Sequence, residues 1–214
     1  APAQGTALLR CAIAHHLRGT RGMNVDPDNI VIGAGAQLLD TMLVQLLGAD
    51  KVYAVEDPGY LRLTRIYQAM GCEVRHVPLD AEGVDLSALQ KTRTDVLHLM
   101  PSHQYPTGLV TSIARRYALL SWAAERPGRY LIEDDFDCEF RLAGKPIPAL
   151  ASIDTAQSVI YTNTFSKSLS SALRLAYMVL PDELMERFRR NLGFYASSVS
   201  SVDQVALARL LESG

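Results

Sequence analysis

Apolar residues along the chain alternate between two spacings. Over residues 6–17 they fall at helical intervals, with Leu9, Ala12, Ile13 and Leu17 on one face, and predict a helix ending near Gly19. Residues 29–32 form a short apolar run read as a strand, followed by the glycine-rich turn 33–37 and a helix through Leu47. A strand over 51–55, the turn Asp57-Pro58-Gly59 and a helix through Met70 repeat the pattern, and a strand over 73–77 with a short helix over 86–90 repeats it again. The run 96–100 is a strand stopped by Pro101. The loop 102–108 leads into a helix over 112–125, and a strand over 129–132 ends in the acidic run Glu133-Asp134-Asp135. Strands over 158–162 and 175–180, a helix from Asp182 and another from about Val202 complete the chain. Strands that are nearly continuous apolar runs, alternating with helices, predict an α/β fold. Its sheet is mostly parallel, with about seven strands between helices.

Composition narrows the function classes. Hydrophobic residues make up 48% and charged residues 21%, as in ordinary globular domains, and the net charge of −2 gives no basic surface for nucleic acid or anionic lipid. No apolar run is long enough to span a membrane, and the N-terminus lacks the layout of a signal peptide. Cys11, Cys72 and Cys138 are scattered and odd in number, so they suggest neither a disulfide framework nor a metal pair; a cytoplasmic setting is expected. The adjacent His15 and His16 point in different directions on a helix and make no metal site.

In parallel sheets ligands bind at the carboxyl ends of the strands. Five such ends carry polar or glycine-rich loops: residues 33–37, 56–60, 101–108, 133–137 and 162–167. Lys167 lies among the hydroxyls of Thr164 and Ser166, with Arg174 seven residues further on. A lone lysine is usually a solvated surface residue. A lysine desolvated beside an arginine becomes a nucleophilic amine, and hydroxyls with a guanidinium suit a phosphate dianion. Gly35, Ala36 and Gln37 open a helix directly after a strand, which also suits phosphate. The rival is a dinucleotide fingerprint, GxGxxG, whose third glycine is replaced here by Leu38. Asp134 falls on the opposite face of its strand from Glu133 and Asp135; a solvated acidic turn is the plain alternative, and a register slip of one would put Asp135 in its place.

Four segments together resemble a known family. They are 55–60 (Val-Glu-Asp-Pro-Gly-Tyr), 101–108 (Pro-Ser-His-Gln-Tyr-Pro-Thr-Gly), 132–141 (Ile-Glu-Asp-Asp-Phe-Asp-Cys-Glu-Phe-Arg) and 159–167 (Val-Ile-Tyr-Thr-Asn-Thr-Phe-Ser-Lys). In this order and spacing they are similar to fold-type I pyridoxal-phosphate (PLP) aminotransferases. They most resemble the aminotransferase-like domain of MocR-type regulators, a branch of the GntR transcription factors. The likeness runs from about Gly5 to Gly214 and implies the large, cofactor-binding domain of a fold-type I protein.

By this resemblance Lys167 carries the cofactor. Asp134, 33 residues before it, holds the protonated ring nitrogen. Tyr60 stacks on the ring. Ala36, Gln37, Thr164, Ser166, Arg174 and Tyr105 are further cofactor contacts, and Arg62 lies near the substrate. Two residues depart from the pattern: Tyr105 stands where many aminotransferases have asparagine, and Phe136 where MocR-type domains usually have tyrosine. Phe136 cannot bond the cofactor's ring oxygen, so weak transamination is expected. The related asparagine–proline bond is typically cis, which makes Tyr105–Pro106 cis an expectation too.

The resemblance further implies that residues 1–214 are one domain of a longer protein. The winged helix-turn-helix, which would make any DNA contact, and the small C-terminal domain would lie outside it. The reading favoured is an effector-sensing module that binds PLP and an amino compound, as a homodimer. A PLP-dependent aminotransferase is the alternative, and a PLP-free or dinucleotide-binding domain is the third.

Overall fold

The computed structural model describes residues 2–136, 147–165 and 174–213. The chain opens with α1 (Ala7–Arg21), capped by the Thr6 hydroxyl, which accepts from the Leu9 N–H. The helix runs through Gly19 and stops at Gly22, which takes the left-handed conformation at φ 65°. The expected end was early because either glycine permits a stop, and packing places it at the second.

A short 3-10 turn (Pro27–Asn29) enters β1 (Ile30–Gly33), and α2 (Ala36–Leu47) follows. Next come β2 (Val52–Asp57), α3 (Leu61–Ala69), β3 (Glu73–Asp80), β4 (Gly83–Val84) and α4 (Leu86–Lys91). The second half supplies β5 (Val96–Leu99), α5 (Ile113–Ala124), β6 (Tyr130–Asp134), α6 (Leu150–Ile153), β7 (Val159–Thr164) and β8 (Ala176–Val179). Two helices, α7 (Asp182–Leu192) and α8 (Ser201–Ser213), end the described chain.

Among the described residues the strands form one sheet of eight, in the order β1-β8-β7-β6-β5-β2-β3-β4. The expected count of about seven omitted β4, whose two residues carry no readable period. β7, β6, β5, β2 and β3 are mutually parallel, and β8 is antiparallel to both its neighbours. One face of the sheet packs against α2, α3 and α7 through residues such as Leu43, Tyr67, Ile132 and Phe188. The other face packs α1 and α8 through Leu9, Ile13, Tyr161 and Leu207, and α4 and α5 through Leu89, Leu119 and Trp122. Strand order reverses between β2 and β5, and such a switch point opens a crevice at the strands' carboxyl ends. Among the described residues no helix is long and apolar enough to cross a membrane.

Candidate functional site

Sheet register gathers the polar loops along one edge. Ala176, at the start of antiparallel β8, pairs with Gly33 on one side and Thr164 on the other. Thr162 pairs with Asp134, Glu133 with Leu99, and His98 with Val55. The loops after β1, β2, β5, β6 and β7, and the one before β8, therefore lie side by side.

At one end of this edge α2 begins at Ala36, behind Gly35. Gly35 has φ 95° and ψ 157°, a conformation open essentially to glycine alone. Arg174 lies against it: a Cβ added to Gly35 would sit 3.2 Å from Arg174 Nη2. The N–H groups of the helix's first turn, at Ala36 and Gln37, have no acceptor within the helix and share a corner with a guanidinium. Thr164 ends β7 beside them, its hydroxyl donating to the Leu175 carbonyl at 3.4 Å. Ser166 and Lys167 lie outside the described residues.

Midway along the edge the acidic run divides by face. Glu133 and Asp135 are buried, at 0% and 1% exposure, on the α1/α5 side. Glu133 accepts the N–H groups of Leu150 and Ala151, both at 2.9 Å, and Arg116 Nη1 lies 3.7 Å from it. Asp135 accepts the Tyr161 hydroxyl at 2.6 Å and pairs with Arg21 Nε at 2.8 Å. Asp134 projects to the opposite face, its Oδ2 4.0 Å from His98 Nε2. The register is therefore the one expected, and Asp135 is committed elsewhere.

At the switch point, Glu56 at the end of β2 reaches across to the β5 loop. Its Oε2 accepts the Met100 N–H at 3.1 Å and the Gln104 side-chain amide at 3.3 Å. That amide also donates to the carbonyls of Pro58 and Tyr105, while Gln104 Oε1 accepts from the Thr107 N–H and hydroxyl. The 101–108 loop is thereby fixed, and its Tyr105–Pro106 bond is cis, as is Asp57–Pro58. Tyr105 meets Tyr60 edge to face at a centroid distance of 5.8 Å, and the Arg62 guanidinium lies 5.7 Å from the Tyr60 ring. Both tyrosines are open to solvent. Phe136 stacks on His103, with centroids 6.2 Å apart.

Burial shapes the electrostatics beneath the edge. It raises the Glu56 carboxyl to about 7 and drives Asp40, on α2, well above the carboxylate range, with Asp134 adding to both through its charge. Glu133 is raised to about 7, again by burial first and Asp135 second. Burial lowers the His98 imidazole to about 3.

Sequence reading did not single out Glu56, Tyr67, Arg21 or His98. For His98 a signal existed: one ionisable side chain inside the apolar strand Val-Leu-His-Leu. Among the described residues no group of acidic, histidine and cysteine side chains is arranged to hold a metal ion.

Comparison with known proteins supplies the lineage. The family model for "Aminotransferase class I and II" matches residues 1–213. The chain belongs to this family. It is 42% identical over 212 residues to the uncharacterized HTH-type transcriptional regulator YhdI of Bacillus subtilis, covering 99% of this chain and 45% of that protein. It is 31% identical over 214 residues to the probable rhizopine catabolism regulatory protein MocR of Rhizobium meliloti, covering 98% and 43%. Among solved structures, LysN of Thermus thermophilus, an α-aminoadipate aminotransferase complexed with N-(5'-phosphopyridoxyl)-L-leucine, superposes with a TM-score of 0.85 at 30% identity. That match covers all of this chain and 55% of LysN. The resemblance to MocR-type regulators and the fold-type I architecture are thus borne out. The chain spans about half the length of the curated relatives it matches.

Proposed function

We propose that this chain is the PLP-binding, effector-sensing domain of a MocR-type transcriptional regulator, acting as a homodimer on an amino-compound ligand. The observation that carries the proposal is the Arg174 guanidinium seated against Gly35 at the start of α2, on the same sheet edge as Asp134. A phosphate dianion needs helix N–H groups and a guanidinium together, and a ring nitrogen needs a carboxylate at a distance along the edge. The residues present fit PLP on both counts.

When bound, PLP supplies a carbonyl for amines and an electron sink. In this reading Ala36, Gln37 and Arg174 hold the phosphate, with Thr164 and Ser166 beside them. Asp134 keeps the ring nitrogen protonated, since an opposite charge favours the charged form. Tyr60 and Tyr105 form an aromatic wall, worth on the order of 1 kcal/mol per aromatic pair beyond area burial. Arg62, at the open side of that wall, offers a cation to a ligand carboxylate, and Lys167 offers its amine to the cofactor carbonyl. A sensing role needs only that the amino ligand bind one conformation better than another.

The test is the visible absorbance of the full chain with and without added PLP, with borohydride trapping. We expect a visible band that Lys167→Ala abolishes. No band in the wild type, or trapping at another lysine, would overturn the assignment. The alternative, a PLP-dependent aminotransferase, draws support from the likeness to LysN. Oligomeric state is read by sedimentation, where a monomer with PLP bound would count against the homodimer.

A further inference from the structure

A buried pair lies directly beneath Asp134 and has no part in the roles above. His98 has a side chain 1% exposed, and its Nδ1 is 2.6 Å from the hydroxyl of Tyr67 on α3. Its Nε2 makes no hydrogen bond among the described residues and faces Asp134 Oδ2 at 4.0 Å. Burial keeps the imidazole neutral, so one ring nitrogen carries a proton and the other accepts. The 4.0 Å approach is therefore not an ion pair.

Two tautomers are open to the ring. With the proton on Nδ1, the Nε2 lone pair would face a carboxylate oxygen inside the protein, two acceptors opposed. With the proton on Nε2, the Tyr67 hydroxyl donates to Nδ1 and the Nε2–H faces the carboxylate. Tyr67 serves this role because burial holds its phenol protonated. The second tautomer leaves no opposed acceptors.

We propose that His98, fixed by Tyr67 as the Nε2–H tautomer, is a positioning residue for Asp134: it holds that carboxylate ionised and in place for the ring nitrogen of PLP. The inference rests on the cofactor reading given above. An N–H that closes to hydrogen-bond distance on an ionised group strengthens what that group binds by about tenfold to a hundredfold.

The experiment has two readouts. In the ligand-free full chain, long-range nitrogen–proton NMR of the His98 ring reads the tautomer directly. We expect Nε2–H in the wild type and a mixed population in Tyr67→Phe. In the PLP-loaded chain, His98→Leu should weaken PLP binding at least about tenfold and move the pH midpoint of the visible band. His98→Gln places an amide N–H near the Nε2 position and should restore most of both. An Nδ1–H tautomer in the wild type overturns the proposal. So does a His98→Leu protein with wild-type affinity and midpoint, or a folded His98→Gln protein as impaired as His98→Leu. If His98→Leu does not fold, the tautomer and the His98→Gln midpoint decide. A wild type with no visible band overturns the cofactor reading and this inference with it. A normal band unmoved by the substitutions overturns this inference alone.

Discussion

Gly35→Ala perturbs the phosphate corner in two separable ways. The first is conformational: φ 95° with ψ 157° lies where non-glycine residues are strained by about 1–3 kcal/mol. The second is steric: the new methyl lies 3.2 Å from Arg174 Nη2 and must move the guanidinium by a few tenths of an ångström. A charge-assisted hydrogen bond to phosphate is worth about 1.5–3 kcal/mol, so its distortion should weaken PLP binding by about tenfold or more. Gly22→Ala separates the two effects. Gly22 is also left-handed, at φ 65°, but a Cβ there meets nothing within 4 Å. Urea unfolding should show both variants destabilised, Gly22→Ala by about 1–2 kcal/mol. PLP titration should show Gly35→Ala alone impaired. If Gly35→Ala binds PLP as the wild type does, or if both variants lose affinity equally, the placement of Arg174 at this corner has no bearing on the cofactor.

The acidic run gives a second test. Asp134→Ala should impair PLP binding with little change in stability, while Asp135→Ala should cost about 3–5 kcal/mol in urea unfolding by removing the buried carboxylate that pairs with Arg21 and accepts from the Tyr161 hydroxyl; a reversed pattern would refute the division by face. Glu56 links stability to pH. Its folded pKa, raised to about 7 from 4.5, contributes stability that is full below about pH 4.5, falls as pH rises and is gone above about 7, some 3 kcal/mol in all. Glu56→Gln should flatten that part of the stability–pH curve, and an unchanged slope would refute it. Transamination should be weak: single-turnover mixing of the PLP-loaded chain with amino acids should release little 2-oxo acid, and Phe136→Tyr should raise the yield by restoring a hydroxyl. Rapid stoichiometric release by the wild type would promote the aminotransferase reading.

What the sequence made legible follows from the range of the forces involved. Apolar runs and helix faces are local, so the order of most strands and helices could be read directly. The two residues of β4 carry no period, and their strand exists only because Leu79 and Asp80 lie opposite. The stop of α1 at Gly22 rather than Gly19 mattered for the site. It carries the helix out to Arg21, which pairs with Asp135 and reaches Ser102 at 3.0 Å. Alternation put Asp134 on the face opposite Glu133 and Asp135, as the structure has it, because strand period is itself local. The Tyr67–His98 contact spans 31 residues and two elements and left no trace in spacing. Arg174 against Gly35 joins residues far apart in sequence; each was suggestive alone, but only the antiparallel return of β8 shows that they meet.

The three carboxylates at the end of β6 explain how a single strand can be both anchor and site. Side chains alternate along a strand, so successive residues cannot share a face. Glu133 and Asp135 fasten the strand end to α6, α5 and α1 through Leu150, Arg116 and Arg21, all in a water-poor layer where the contacts are strong and their loss costly. Asp134, held between them in the backbone, takes its position from both neighbours and lies over His98 on the other side. A carboxylate fixed in this way needs little reorganisation to meet a cation, which on the proposed reading would favour tight capture of a protonated ring nitrogen. It also dictates how substitutions must be read. A variant at Glu133 or Asp135 that loses PLP has first lost the anchoring of the strand, whereas a variant at Asp134 or His98 that loses PLP with an unchanged unfolding curve reports on the site itself.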